Sequence, residues 1–256
     1  MKKTVYLLVI AALTIAACKS NSNNTDSNIG NKTASNTDSI PVVDLNDPSL
    51  LSYSMPLPQT NGAMSLEKAI AQRRSRRNFE DKELSIEQLS QILWAAYGVT
   101  SPQPNHPKLR GGLRTVPSAG ALYPFEVYAV IGKVNGVEPG VYKYVADGHK
   151  IVRLIDKDVR KDLAVAALSQ IMVENAPVVI FYSAIFERTT QKYGDRGRER
   201  YVCMDLGHSA QNVYLQAEAM GLGTCAIGAF TDKSVSEVLQ LPQNEEPLYL
   251  MPVGYY

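Results

Sequence analysis

The stretch Arg73-Arg74-Ser75-Arg76-Arg77 is the first of three that together decide the fold. Guanidinium groups match the oxygen atoms of a phosphate, and the hydroxyl of Ser75 can donate one more hydrogen bond. The stretch therefore predicts a phosphate-binding site, although such a basic run also suits a solvated face or a partner surface. The formal net charge of the chain is only +1, which gives no electrostatic case for a nucleic-acid partner.

The other two stretches consist mainly of small residues. Pro117-Ser118-Ala119-Gly120-Ala121 has almost no side chain, so its backbone can approach a flat ligand or simply pack against a helix. Gly221-Leu222-Gly223-Thr224-Cys225-Ala226-Ile227-Gly228-Ala229 follows a predicted long helix. Its free N–H groups can meet carbonyl oxygens or an anion, or can merely end that helix.

In this order and spacing, the three stretches resemble the nitroreductase-like FMN-dependent family over roughly the last three quarters of the chain. The resemblance implies an α+β fold with a central, mostly antiparallel sheet flanked by helices. It also implies a homodimer that packs through the long helix and holds each flavin at the interface. The FMN-binding residues that it implies are Arg73, Arg74, Ser75, Arg77, Pro117, Ser118, Ala119, Gly120, Gly228 and Ala229.

Within this family, the chain is most similar to the SagB-type dehydrogenases, which oxidise azoline rings in modified peptides. Lys192-Tyr193 and Arg200-Tyr201, upstream of Asp205-Leu206-Gly207-His208, resemble their signature. The resemblance implies that Lys192 and Tyr193 are catalytic and move the proton that accompanies hydride transfer. The alternative is that residues 188–200 form a flexible loop whose charges are only solvated.

The N-terminal residues are typical of an export signal. Lys2 and Lys3 precede an apolar run, and Ile15-Ala16-Ala17-Cys18 resembles the lipobox of bacterial lipoproteins. We therefore expect residues 1–17 to be a signal peptide and Cys18 to be lipidated, which predicts an exported protein anchored on a bacterial membrane in the cell envelope. An ordinary cleaved signal peptide with a coincidental cysteine is the alternative.

The rest of the chain divides into a tether and one domain. Residues 18–60 are predicted to be the anchor site and a disordered tether, because residues 19–40 have scarcely an apolar side chain. Residues 61–256 are predicted to form the FMN-binding domain. Cys203 and Cys225 are expected to be buried, unpaired thiols, and the three histidines show no metal-ligand spacing, so no metal is expected.

Local patterns predict most elements of this domain. Ser65 and Ser85 are expected N-caps, and residues 101–112 are expected to form a long loop. Strands are predicted at residues 125–131, 140–144, 150–155, 177–184, 224–229 and 248–253, and later helices at 158–168, 200–220 and 235–239.

The predicted function is that of an FMN-dependent oxidoreductase. In a two-step cycle it would transfer hydride between a reduced donor and a small organic acceptor of the nitro, quinone or enone type. One alternative is azoline oxidation in a peptide. Another is a non-catalytic flavin-fold binding lipoprotein, since Ala121 stands where many members carry asparagine and the chain ends at Tyr255-Tyr256 where many have a basic segment.

Overall fold

The computed structural model describes residues 43–106 and 109–256. The predicted signal peptide, the lipidation site Cys18 and the tether up to residue 42 lie outside the described residues. Residues ahead of the predicted domain boundary at 61 contribute to the fold, because Ser52–Ser54 pairs with the edge of the main sheet and Met55 is buried. The folded domain therefore begins earlier than the sequence predicts.

Within the described residues, seven α-helices and nine strands form this domain. The helices are α1 (Leu66–Gln72), α2 (Ile86–Tyr97), α3 (Arg160–Ala166), α4 (Ile171–Asn175), α5 (Glu187–Tyr193), α6 (Val202–Ala219) and α7 (Asp232–Leu239). The strands are β1 (Ser52–Ser54), β2 (Val99–Pro102), β3 (Gly112–Arg114), β4 (Phe125–Ile131), β5 (Gly140–Val145), β6 (Lys150–Ile155), β7 (Val178–Ala184), β8 (Gly223–Thr224) and β9 (Glu246–Gly254).

The main sheet has seven strands in the order β1-β6-β5-β4-β7-β9-β8, and every neighbouring pair is antiparallel. All residues of β7 are buried, as expected for a central strand covered on both faces. Its alternate side chains enter two cores: Ile180 and Tyr182 face α2 and α6, whereas Val179 and Phe181 face α3, α4 and α7. The predicted α+β fold with an antiparallel sheet flanked by helices is confirmed.

Local capping signals predict the first two helices well. The Ser65 side chain accepts a hydrogen bond from the Lys68 amide, and Ser85 forms a capping box with Gln88. Gly98 ends α2, so the arginine stretch and the loop to β4 are placed by two firmly bounded helices.

Further expectations differ from the structure. The strand predicted at 224–229 is reduced to β8, which ends at Thr224, with one isolated bridge from Ile227 to Leu250. Residues 188–200 are not a flexible loop, because they contain most of α5 and a π-helical turn at Gly197–Tyr201. The expected loop at 101–112 is shortened by the pairing of β2 with β3. Cys203 is exposed on α6, whereas Cys225 is buried as expected, and neither forms a disulfide in the described part of the chain. Across residues 43–106 and 109–256, no helix is both long and apolar enough to cross a membrane.

Candidate functional site

The arginine stretch lies between α1 and the end of the main sheet. Arg73 caps α1, and its amide donates to the Ala69 carbonyl. The Arg76 amide donates to the Thr224 carbonyl at 2.9 Å, and Ser75 forms a parallel bridge with Thr224. The first and third sequence stretches therefore lie side by side.

Tyr214 of α6 joins these two stretches. Its hydroxyl oxygen lies 2.9 Å from Ser75 Oγ and accepts a hydrogen bond from the Ala226 amide at 2.8 Å. The Arg73 guanidinium lies over the Tyr214 ring, 5.2 Å from its centroid. Tyr214 was missed by the sequence analysis, because a tyrosine within a helix carries no local sign of a partner 139 positions away.

The remaining arginines of the stretch point in different directions. The Arg74 guanidinium donates to the carbonyls of Ala71 and Arg73, so it caps the end of α1. The Arg76 guanidinium lies 4.2 Å from the centroid of the Tyr256 ring. Arg77 is exposed.

Burial raises the pKa of the Cys225 thiol, and the charge of Arg77 opposes that shift.

The small-residue loop at 117–121 is attached to a different part of α6. Ser118 Oγ donates to Asp205 Oδ2 at 2.6 Å, and the Ala119 amide lies 3.2 Å from both carboxylate oxygens. Burial raises the pKa of the Asp205 carboxyl, and the hydrogen bonds from Ser118 and Ala119 partly offset that shift. Pro117 is exposed at the start of this loop. Asp205 is therefore the principal polar contact between the loop and α6.

The same loop brings Gly120 to the predicted catalytic pair. A Cβ atom on Gly120 would lie 2.8 Å from the Tyr193 hydroxyl oxygen and 2.9 Å from Lys192 Nζ. Gly120 also has a φ of 63°, a left-handed conformation that glycine adopts without steric cost. The structure thus places Gly120, Lys192 and Tyr193 together, although the sequence separates them by some 70 positions.

Lys192 and Tyr193 form the last turn of α5. Lys192 is exposed and Tyr193 is half-buried. The Tyr193 ring packs edge-on against Tyr201 with 4.9 Å between centroids, and Arg196 Nε donates to the Tyr201 hydroxyl at 2.9 Å. Tyr201 ends the π-helical turn, a feature that often marks functional sites. This turn fixes the ring of Tyr193 beside the loop.

Gly228 and Ala229 are exposed beyond β8. Gly228 has space on its Cβ side, where the first neighbouring atom is a Tyr249 ring carbon at 3.5 Å. The Ala229 carbonyl accepts a hydrogen bond from the Gln170 side chain at 2.8 Å. The backbone here is accessible to a ligand.

The two halves of the candidate site lie on opposite sides of α6. Asp205 holds the small-residue loop and Tyr214 holds the arginine stretch, and these residues are about two and a half helical turns, or about 14 Å, apart. Half a turn reverses the direction of a side chain, so the two attachments point to opposite edges of the helix. An exposed stripe at Met204, Gly207 and Gln211 runs between them.

A cleft of about 870 Å³ lies between α1, α2 and α6. Trp94, Leu215 and Met220 contribute to its walls, and Leu215 follows Gln211 by about one helical turn. None of the predicted FMN-binding or catalytic residues is among the described residues that line it. The cleft is therefore separate from both attachments and adjoins the exposed stripe.

Residues 70–255 match the profile of the Nitroreductase family. The match covers well over half of the chain. The chain belongs to the nitroreductase family. Its members are flavin-dependent oxidoreductases, so the enzyme class predicted from the sequence is confirmed.

Three proteins illustrate the likeness of this nitroreductase-family chain. A Methanocaldococcus jannaschii protein that carries the provisional name of nitroreductase is 49% identical over 191 residues, or 75% of this chain and 91% of that protein. The structure of a provisionally named nitroreductase from Anabaena variabilis has a TM-score of 0.66 at 28% identity, covering 81% of this chain but only 42% of that one. A chain of the Escherichia coli microcin synthetase McbBCD complex with truncated pro-MccB17 bound has a TM-score of 0.58 at 25% identity, over 80% and 77%.

Proposed function

We propose that this nitroreductase-family protein binds FMN and transfers hydride by a two-step cycle between a reduced donor and a small organic acceptor of the nitro, quinone or enone type. The observation that carries the proposal is the position of Gly120 against Lys192 Nζ and the Tyr193 hydroxyl. A backbone with no side chain can admit a flat ring, and two proton-bearing groups lie directly beside it.

The chemistry of the arginine stretch suits the phosphate end of FMN. Arg73 and Arg77 supply guanidinium groups that can form charge-assisted hydrogen bonds, and the Ser75 hydroxyl lies between them in the sequence. Arg73 is half-buried, while Ser75 and Arg77 are exposed, so a ligand can reach all three. Arg74 would add positive charge from the end of α1.

The protein groups then bind, orient and move protons. When bound, FMN supplies a carrier that accepts a hydride from one substrate and passes it to another. Pro117, Ser118, Ala119 and Gly120 would lie against its ring on one side, and the backbone of Gly228 and Ala229 would approach it on the other. Lys192 Nζ and the Tyr193 hydroxyl would deliver or accept the proton that accompanies hydride transfer to the organic substrate.

The geometry of α6 favours a homodimer with composite sites. The two attachments are about 14 Å apart along α6, and the body of the helix, about 10–12 Å across with its side chains, lies between them. A ligand lying along one edge would therefore have to pass around the helix to reach the loop on the opposite edge. A second copy packed on the exposed stripe would bring its loop to the arginines of the first. Gly207 in that stripe has open space around its Cβ position, which permits close approach of another helix.

We also propose that Cys18 anchors the protein to a membrane of the cell envelope. The support is the sequence pattern of residues 1–18 alone. If it is correct, wild-type protein will sediment with membranes, whereas Cys18→Ser will be recovered in the soluble fraction. Membrane recovery of Cys18→Ser equal to that of wild type would contradict lipid anchoring.

The first experiment is the visible spectrum of the soluble portion from Ser20 onward. We expect flavin absorbance, and release of FMN at about one per subunit. A protein that stays colourless after incubation with excess FMN would instead support a non-catalytic binding lipoprotein.

A second candidate function is oxidation of azoline rings in a peptide. It is favoured by the Lys192-Tyr193 pair at Gly120 and by the likeness to a chain of the microcin synthetase complex. This activity would require both Lys192 and Tyr193 and would use oxygen as the final acceptor. Turnover of nitro or quinone compounds, together with no oxidation of an azoline peptide, would exclude it.

A further inference from the structure

The loop that carries Gly120 has a strained backbone. Gly120, Ala121 and Tyr123 all have left-handed φ values, at 63°, 54° and 46°. A Cβ atom makes this conformation unfavourable, so the alanine and the tyrosine must be held in it by surrounding contacts. The contacts that hold them identify the residues on which the geometry of the loop depends.

One end of the strained segment is held by Asp205. Its carboxylate accepts from Ser118 Oγ and from the Ala119 amide, and Ser118 Oγ in turn accepts from the Tyr123 amide at 2.9 Å. The segment is thus closed into a ring that spans its three left-handed residues. Asp205 is only 4% exposed.

The other end is held by two arginines that precede the loop. The Arg110 guanidinium donates to the Tyr123 carbonyl, and the Arg114 amide donates to the Tyr123 hydroxyl at 3.3 Å. These contacts fix Tyr123 but do not reach Ser118 or Ala119. The side of the loop that precedes Gly120 therefore depends on Asp205.

We propose that Asp205 is a positioning residue: its carboxylate holds residues 118–123 in the strained conformation that presents Gly120 to Lys192 and Tyr193. A buried carboxylate is unfavourable for stability unless hydrogen bonds compensate for the lost hydration. At Asp205 the compensating hydrogen bonds come from Ser118 and Ala119 of this loop. The consequence for turnover rests on the proposed function. The consequence for the loop itself does not.

The test compares Asp205→Asn with Glu218→Gln in the protein as isolated. Both replace a buried carboxylate on α6 by an amide, but Glu218 lies more than three turns from Asp205. We expect amide hydrogen exchange at Ala119 and Tyr123 to become at least about 10-fold faster in Asp205→Asn, while exchange at Val127 and Ile180 in the sheet stays unchanged. Glu218→Gln should leave all four amides at wild-type rates.

Flavin-dependent readouts separate positioning from general damage. In Asp205→Asn we expect turnover at saturating FMN to fall at least about 10-fold, with a clearly smaller rise in the Kd for FMN, because the arginine stretch is held by Tyr214 on the other edge of α6. Asp205→Glu, which keeps the carboxylate, should recover part of the turnover. Equal loss of FMN affinity and turnover would overturn the positioning role.

Two further outcomes keep the proposal separate from the proposed function. Unchanged exchange at Ala119 and Tyr123 in Asp205→Asn would overturn it whether or not FMN is bound. If wild type binds no FMN but exchange still accelerates, the proposed function fails and the role of Asp205 in the loop stands. Should Asp205→Asn not fold, Ser118→Ala must accelerate exchange at Tyr123 in a folded protein, and wild-type exchange there would contradict the proposal.

Discussion

The two edges of α6 hold the candidate site by opposite means. At the Tyr214 edge, the arginine stretch has mostly exposed side chains and an ordinary backbone, with a φ of −47° at Arg73. At the Asp205 edge, residues 117–121 have almost no side chain, and the backbone is left-handed at Gly120, Ala121 and Tyr123. The first region offers charge to a ligand, and the second offers a fixed shape.

This difference teaches that binding and turnover should respond separately to mutation. Charge-assisted hydrogen bonds from flexible arginines determine how tightly a phosphate is held, and they tolerate small displacements. A strained loop beside two proton-bearing groups determines distances at the reacting atoms, where displacements are costly. Because the regions lie on opposite edges of one helix, they should also belong to different sites in a dimer.

The largest expected effect is recovery of activity in mixed dimers. Arg73→Ala and Lys192→Ala are each expected to have little activity alone, the first through lost FMN and the second through lost proton transfer. Co-expressed, they should recover about one quarter of wild-type turnover, because half of the dimers are mixed and each mixed dimer has one intact composite site. The measurement is turnover per total subunit, with each variant alone as the control.

Two results would contradict the composite site. Turnover no higher than the mean of the two single variants would mean that one subunit supplies both edges. Wild-type turnover in Lys192→Ala alone would remove Lys192 from proton transfer.

The next effect is on FMN affinity. Loss of charge-assisted hydrogen bonds from Arg73 to a phosphate should raise the Kd by roughly 10- to 100-fold, since such bonds contribute about 1.5–3 kcal/mol. Lys68→Ala, which removes an exposed cation about one and a half turns earlier on α1, is the control and should raise the Kd less than about twofold. Flavin fluorescence titration measures both. Equal increases in the Kd for FMN in the two variants would mean that the arginine stretch acts only as a general basic surface.

The elements and stretches at the two edges of α6 could be predicted from the sequence, but the contacts that hold them could not. The capping residues of α1 and α2 and the apolar runs of β4 and β7 are local signals, which is why those elements were predicted nearly to the residue. The three stretches stand out by their residues, and their joint assignment to FMN comes from the family resemblance. The contacts that hold them were not predicted, because Asp205 meets Ser118 across 87 positions and no local pattern encodes such a pairing.

The helix α5 and the π-helical turn were missed for a similar reason. Residues 187–201 are mostly charged or polar, so no apolar periodicity indicates a helix there. Packing supplies what periodicity does not: Thr189 is buried, and the Cα of Gly197 lies so close to it that a Cβ would meet the Thr189 backbone at 3.1 Å. The position of Lys192 and Tyr193 depends on this tertiary contact.

A smaller expected effect distinguishes backbone strain at Gly120 from the close contact between Gly120 and the side chains of Lys192 and Tyr193. Gly120→Ala and Gly136→Ala both place a Cβ at a left-handed φ, 63° and 74°, so each should lower the free energy of unfolding by about 1–2 kcal/mol. Nothing lies within 4 Å of the Cβ position at Gly136, whereas at Gly120 the methyl group meets Tyr193 and Lys192. Only Gly120→Ala should also lower turnover, by roughly 10-fold. Urea unfolding and steady-state turnover measure the two effects, and equal turnover in both variants would contradict the arrangement.

The smallest effect concerns Ala121, whose φ of 54° is unfavourable for alanine. Ala121→Gly should relieve the strain and stabilise the fold by up to about 1 kcal/mol, because the gain exceeds the extra entropy of glycine in the unfolded chain. A Tm increase of about 2–4 °C would follow. Ala71→Gly makes the same change in α1 and should act in the opposite direction. Asparagine tolerates left-handed backbone better than alanine does, so Ala121→Asn should also raise Tm, though by less. A lower Tm in both Ala121 variants would show that packing of the alanine methyl group contributes more to stability than the strained backbone costs.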